Sequence, residues 1–147
     1  MLLVPKAIGV EILDGGKLPS KANHNDAGFD LYATSDFDIK QGEVIKHPLN
    51  IKLELTSNTY GEITTKSGLG SKGILVYAGI IDEGYRGIVH VILTKLNEGT
   101  MSIKKGQKLA QMIIHPYGSA DFQMTQVESV DANTSRGSGG FGSSGAF

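Results

Sequence analysis

The sequence predicts an all-β fold of the sandwich or barrel type, followed by a flexible C-terminal arm. Apolar and polar residues alternate in several short segments, each bounded by Gly, Asn, Asp or Pro, which is typical of half-buried strands. Glycine accounts for 20 of the 147 residues, about twice its usual share of roughly 7%, and this excess indicates many tight turns. No window has the apolar period of an amphipathic helix of three turns.

The candidate strands are spread along the first 130 residues. Segment 88–93, IVHVIL, is apolar on both faces apart from His90, as expected of a buried strand. Segment 66–73, KSGLGSKG, is the one plausible place for a short helical piece. The other candidate strands are segments 7–13, with Ile8, Val10 and Ile12 on one face, 50–55, 109–114 and 122–130.

Length and composition predict one globular core, residues 1–130, and a separate arm, residues 131–147. A chain of this length buries about 68–70% of its unfolded surface. The formal net charge of −1 argues against a surface for duplex nucleic acid, and the absence of cysteine excludes disulfides and thiolate metal sites. Pro5 and Lys6 interrupt the start where a signal peptide needs an apolar run, and no run approaches the roughly 20 apolar residues of a membrane span. We therefore expect a soluble, cytoplasmic or nuclear protein without nucleic-acid or membrane partners.

Five segments combine residues that are too particular for ordinary turns. They are AGFDLYA (27–33), GEITTKSGLGSKG (61–73), AGIIDEGYRG (78–87), GQKLAQMI (106–113) and RGSGGFGSSG (136–145). In identity and order they resemble the five motifs of the trimeric dUTPase family, the deoxyuridine triphosphate nucleotidohydrolases, over nearly the whole chain. The resemblance implies a jelly-roll fold, a homotrimer with shared active sites, and Mg²⁺-assisted cleavage of dUTP to dUMP and pyrophosphate. Such an activity limits uracil incorporation into DNA and supplies dUMP.

The third motif carries the candidate catalytic residue. Its pattern predicts a hairpin, in which an apolar arm, a polar turn and segment 88–93 follow one another. An isolated Asp82 would ordinarily be a turn-forming residue, and Tyr85 an aromatic at a strand end. The resemblance implies instead that Asp82 activates the water that attacks the α-phosphorus, a task suited to a carboxylate. It also implies that Tyr85 packs under the deoxyribose and excludes a 2′-hydroxyl, and that backbone groups around Gly79 read the uracil.

The second, fourth and first motifs carry candidate phosphate ligands. Taken alone, these residues have ordinary interpretations. Any Gly/Ser loop with a lysine resembles KSGLG. A glutamine on a strand, such as Gln111, ordinarily faces solvent, and an aspartate such as Asp30 commonly begins a strand. The resemblance implies that Lys66, Ser67 and the N–H group of Gly68 contact the phosphates. It implies that Gln111 forms hydrogen bonds with a phosphate and with the attacking water. It also implies that Asp30 lies near the metal and the phosphates and contacts them through water.

Several positions depart from the usual family pattern. Lys66 stands where arginine is commoner, which keeps the charge but loses the planar bidentate fork. Thr65 replaces a proline, and Glu62 stands where many relatives have arginine. Gln107 and Lys108 replace the commoner Asp-Arg, which puts local ion pairing in doubt.

The glycine-rich tail has two interpretations. A Gly/Ser tail without a partner is usually a disordered linker. The resemblance implies a lid that closes over the nucleotide of a neighbouring subunit, with Phe141 stacked on uracil and Arg136 at the γ-phosphate. Gly142, Ser143 and Ser144 would then wrap the terminal phosphates.

Metal ligands and alternative functions complete the expectations. The resemblance implies Mg²⁺ held by the substrate phosphates without direct protein ligands, and the four histidines, His24, His47, His90 and His115, lack metal-ligand spacing. Two alternatives stay open: a dCTP deaminase of the same fold, and a non-catalytic trimeric β-protein that uses the same surface to bind a partner.

Overall fold

The computed structural model describes residues 6–118 and 122–146, and its regular structure is β apart from one helical turn. The strand pairs are all antiparallel, so the all-β prediction is confirmed. The strands are β1 Gly9–Ile12, β2 Phe29–Tyr32, β3 Phe37–Lys40, β4 Val44–Pro48, β5 Ile51–Glu54, β6 Thr59–Thr64, β7 Ile74–Tyr77, β8 Ile80–Ile81, β9 His90–Lys95, β10 Thr100–Ile103 and β11 Lys108–Pro116, and the helix α1 is Ser67–Gly70.

Two larger sheets and two strand pairs enclose the core. The four-stranded sheet has the order β2-β11-β6-β8, and the three-stranded sheet has the order β4-β9-β7. The pairs β1-β5 and β10-β3 complete the strands. Because consecutive strands often lie in different sheets, residues distant in sequence meet along β11, which separates β2 from β6.

The core is formed by the alternating apolar residues that face inward from each strand. On β9 and just before it, Val89, Val91 and Leu93 are completely buried, whereas His90 and Ile92 are only partly buried. The expectation that segment 88–93 is buried on both faces is therefore wrong for one face, which borders a pocket. The largest fully buried side chains are Leu31, Ile39, Ile51, Leu53, Ile74, Leu93, Ile103, Leu109, Val89 and Val91.

Most of the predicted elements are present. Segments 7–13 and 50–55 contain β1 and β5, segment 109–114 lies within the longer β11, and segment 66–73 contains α1. On β1, however, the inward face is incomplete, because Ile12 is 49% exposed.

The strand predicted for segment 122–130 is wrong. Its residues have no strand structure, and Phe122, Met124, Val127 and Val130 are exposed. Within the described parts of the chain, no hydrogen bond or ion pair joins residues 122–146 to residues 6–118. Alternation alone does not make a strand, because a strand needs a partner for its backbone groups. The core–arm boundary at residue 130 stays a prediction.

The predicted hairpin of the third motif is only partly correct. The returning strand β9 pairs with β7, from Tyr77 opposite Ile92. Ile80–Ile81, expected in the first arm, instead forms β8 and pairs with β6. The loop between β7 and β9 thereby contacts both larger sheets.

Among the helices of the described residues, none has the length and apolar character needed to cross a membrane.

Candidate active site

A pocket of about 270 Å³ lies beside the loop between β7 and β9. Gly79, Asp82 and Tyr85 all line it, so the structure brings together the three candidate residues of the third motif. Lys46 from β4 and His90 from β9 add two basic side chains to its wall. The pocket therefore combines a carboxylate, an aromatic ring and the backbone of a glycine.

Gly79 is required by the way the loop crosses β6. Its φ is +107°, and a Cβ atom there would lie 2.3 Å from the carbonyl oxygen of Ile63. The backbone N–H of Ile63 donates to the carbonyl oxygen of Gly79 at 2.7 Å. The glycine thus permits a close backbone contact within the protein, a reason not visible in the sequence.

Tyr85 is held by a local hydrogen bond at the pocket. Its hydroxyl donates to the carbonyl oxygen of Ile88 at 2.9 Å, and the ring remains 43% exposed. A Cβ atom on Gly87 would lie 2.5 Å from the same hydroxyl, so Gly87 makes room for the ring. His90 Nδ1 lies 2.9 Å from the carbonyl oxygen of Ile88 as well. His90 and Tyr85 therefore share the Ile88 carbonyl as acceptor. In the sequence, the only signal for this role of His90 was its position between Val89 and Val91, whose side chains are buried.

A second cluster forms where β11 runs between β2 and β6. Gln111 is opposite Asp30 on one side and Thr64 on the other. Its Nε2 donates to the carbonyl oxygen of Thr65 at 3.2 Å. A Cβ atom on Gly28 would lie 2.7 Å from Gln111 Oε1, so the glycine of the first motif makes room for this side chain.

Asp30 is the centre of this cluster. It is 4% exposed, and its two carboxylate oxygens contact Lys66 Nζ at 2.5 Å and Lys108 Nζ at 2.9 Å. Burial raises the pKa of Asp30, but the hydrogen bonds and charges of the two lysines outweigh burial and hold that pKa below 3.8. The hydrogen bond and charge of Asp30 raise the pKa of Lys108 above 10.5. Lys108 therefore keeps an ion pair despite replacing an arginine, and two lysines against one carboxylate leave a surplus positive charge suited to an anion.

Ser67 and Gly68 extend this cluster at the start of α1. Lys66 is the N-cap residue and provides no capping side-chain bond. Ser67 and Gly68 are exposed, and a Cβ atom on Gly68 would meet nothing within 4 Å. The first N–H groups of a helix have no partner within it, so these donors suit phosphate oxygens.

The predicted arm residues form a third group, which lines a separate pocket of about 340 Å³. Arg136 Nε donates to the carbonyl oxygen of Gly139 at 3.0 Å, and the Phe141 ring is fully exposed. Consecutive turns curl this segment on itself. The predicted residues that line this pocket are Arg136, Phe141, Gly142, Ser143 and Ser144.

Comparison with known proteins identifies the family. The family model described as dUTPase matches residues 14–145.

The chain belongs to the dUTPase family.

Named relatives resemble the chain along most of its length. It is 41% identical over 133 residues to the deoxyuridine 5'-triphosphate nucleotidohydrolase of Gloeothece citriformis. The aligned region covers 87% of this chain and 88% of the relative. It is 38% identical over 132 residues to the Pol polyprotein of Ovine maedi visna related virus. This aligned region covers 90% of this chain but 12% of the polyprotein. The chain thus spans nearly all of the bacterial dUTPase and a small part of the viral polyprotein.

Solved dUTPase structures share the fold. The dUTPase of Staphylococcus bacteriophage 80alpha, a mutant solved with dUpNHpp, superposes with a TM-score of 0.85 at 24% identity, covering 96% of this chain and 99% of that chain. The jelly-roll-like fold expected of a dUTPase is therefore confirmed.

The described residues of this dUTPase contain no group of three or more His, Cys, Asp or Glu side chains that would hold a metal ion. Asp30 is engaged by two lysines.

Proposed function

We propose that Asp82 activates the water that hydrolyses dUTP to dUMP and pyrophosphate in this dUTP diphosphatase. Family membership supplies the reaction. The observation that carries the catalytic assignment is the pocket where Asp82, Tyr85 and Gly79 meet. In the step, the water oxygen forms a bond to the α-phosphorus and its proton passes to the Asp82 carboxylate. The bond from the α-phosphorus to the bridging oxygen breaks, and pyrophosphate leaves with the electron pair.

Tyr85 and Gly79 would select the nucleoside. The ring of Tyr85 is fixed by its bond to Ile88, so a deoxyribose packed against it leaves no space for a 2′-hydroxyl. A hydroxyl that loses its water partner there costs about 1–3 kcal/mol, which disfavours UTP. The backbone around Gly79, held against β6, would read the base edge.

The Asp30 cluster would bind the phosphates. Lys66 and the N–H groups of Ser67 and Gly68 would contact the phosphate oxygens, and Gln111, which bonds the neighbouring Thr65 carbonyl, would add a further donor. Asp30 would orient both lysines rather than contact metal directly. Mg²⁺ bound by the phosphate oxygens would neutralise charge on the departing pyrophosphate.

We further propose that the active sites are shared in a homotrimer. The Asp82 pocket, the Asp30 cluster and the arm form three groups, and no hydrogen bond or ion pair between described residues joins the arm to either of the other two. A nucleotide would unite them if neighbouring subunits each supplied a group, as closed cyclic assemblies allow.

Subunit mixing tests this sharing after light scattering has measured the oligomeric state. Asp82→Asn chains and chains that end before Arg136 should each be inactive alone. Refolded together in equal amounts, they should recover activity at roughly a quarter of the sites, because such a site takes Asp82 from a truncated chain and the arm from an Asp82→Asn chain. Absence of recovery in verified mixed trimers would contradict sharing.

A nucleotide panel tests the reaction itself. With Mg²⁺, purified protein should release pyrophosphate from dUTP and far less from UTP, dTTP or dCTP. Asp82→Asn should abolish turnover while nucleotide affinity is kept, and the exposed Asp14→Asn serves as the matched control. Intact dUTP would contradict the proposed reaction, and a uracil nucleotide made from dCTP would indicate a deaminase instead. Equal loss of affinity and turnover would contradict the role of Asp82.

A further inference from the structure

The residue after the proposed base is a second carboxylate, Glu83, and its side chain takes part in a different set of contacts. Glu83 Oε2 accepts hydrogen bonds from the backbone N–H of Asn58 at 3.2 Å and from the hydroxyl of Tyr117 at 3.1 Å. Glu83 lines a second pocket with Tyr60 and Tyr117, and Asp82 borders this pocket as well. It is absent from the wall of the pocket that Tyr85 lines.

These bonds connect three segments of the chain. Asn58, with φ of +59°, lies in the turn between β5 and β6, and Tyr117 follows the end of β11. The backbone N–H of Tyr117 donates to the carbonyl oxygen of Asn58 at 2.9 Å. Glu83 thus attaches the loop that carries Asp82 to a junction that is itself closed by a backbone bond.

Asp82 has little other side-chain support. Within the described residues, no hydrogen bond or ion pair reaches its carboxylate, and it is exposed. Its position therefore depends on the backbone of its loop. Arg86 contributes through Nη1, which donates to the carbonyl oxygen of Glu83 at 2.8 Å, so the position of Glu83 also affects the next turn of the loop.

We propose that Glu83 is a positioning residue for the Asp82 carboxylate, acting through Asn58 and Tyr117. This inference rests on the proposed function, in which Asp82 aligns the attacking water. Small displacements of a reacting group cost rate far more than they cost ground-state binding. Loss of the Glu83 contact should therefore lower kcat and leave KM for dUTP nearly unchanged.

Three variants test the proposal by steady-state kinetics with dUTP. Glu83→Ala removes the acceptor and should lower kcat on the order of tenfold, with KM changed by less than about twofold. Glu83→Gln keeps an acceptor oxygen without the charge and should retain most of the activity. Tyr117→Phe should lower kcat less than Glu83→Ala does, and adding it to Glu83→Ala should cause little further loss, because both act through one contact.

Melting temperatures and an Asp82→Asn control make the outcomes separable. If Asp82→Asn is inactive and folded Glu83→Ala has wild-type kcat, the positioning role is wrong while the proposed function stands. If Asp82→Asn keeps its turnover, the proposed function fails. Equal inactivation by Glu83→Gln and Glu83→Ala would show that the charge matters rather than the anchor, which also overturns the proposal. If Glu83→Ala does not fold, a normal kcat in Tyr117→Phe overturns it.

Discussion

Replacing Gly79 by alanine should destabilise the protein through a defined backbone contact. The added Cβ atom would lie 2.3 Å from the carbonyl oxygen of Ile63, closer than any ordinary contact. Its neighbour is backbone near the end of β6 and cannot rotate away as a side chain could. The loop would have to retreat and give up the 2.7 Å bond from the Ile63 N–H to the Gly79 carbonyl.

The magnitude follows from two contributions. Alanine at positive φ costs about 1–2 kcal/mol, and the lost backbone hydrogen bond costs about 0.5–1.5 kcal/mol. The free energy of unfolding should therefore fall by about 1.5–3.5 kcal/mol. For a domain of this size that corresponds to a drop in Tm of roughly 3–14 °C.

Gly42→Ala is the matched control for the contact. Gly42 has φ of +80° and a Cβ atom there would meet nothing within 4 Å, so this variant isolates the backbone term. Urea unfolding of Gly79→Ala, Gly42→Ala and wild type at one protein concentration gives the comparison. Equal destabilisation by both variants would refute the reasoning, because it would mean that the approach to Ile63 adds no cost.

Two further predictions concern pH and the arm. Burial lowers the pKa of His47 below 6.5, and the charge of His90 lowers it further, so between the folded value and about 6.5 the unfolded chain binds more protons. The contribution of His47 to the free energy of unfolding should be complete above about pH 6.5 and should decline as the pH falls. In urea unfolding at several pH values, His47→Gln should weaken this pH dependence, whereas the exposed His24→Gln should not. An unchanged pH dependence in His47→Gln would contradict the prediction. Ending the chain before Arg136 should abolish turnover of dUTP but leave Tm unchanged in thermal unfolding, since the arm makes no bonds to the described core, and a large drop in Tm would show that the arm is part of the core.

The cluster around Asp30 could not be predicted from the sequence. Motif resemblance named Asp30, Lys66 and Gln111 as separate candidates. Their proximity depends on β11 lying between β2 and β6, an arrangement of strands distant in sequence. The ion pair of Lys108 with Asp30 was likewise unpredictable, because local pattern does not specify which side chains meet across a sheet.

What the sequence alone determined is local: alternation identified β1, β5 and β11, the KSGLG turn identified α1, and five ordered motifs identified the family. Tertiary structure alone decided that Ile80–Ile81 pairs with β6, that Gly79 touches Ile63, and that segment 122–130 has no strand partner in the described chain. The reason is that side-chain period and turn chemistry act over a few residues. Strand pairing and loop anchoring depend instead on contacts between distant segments, which only the folded chain brings together.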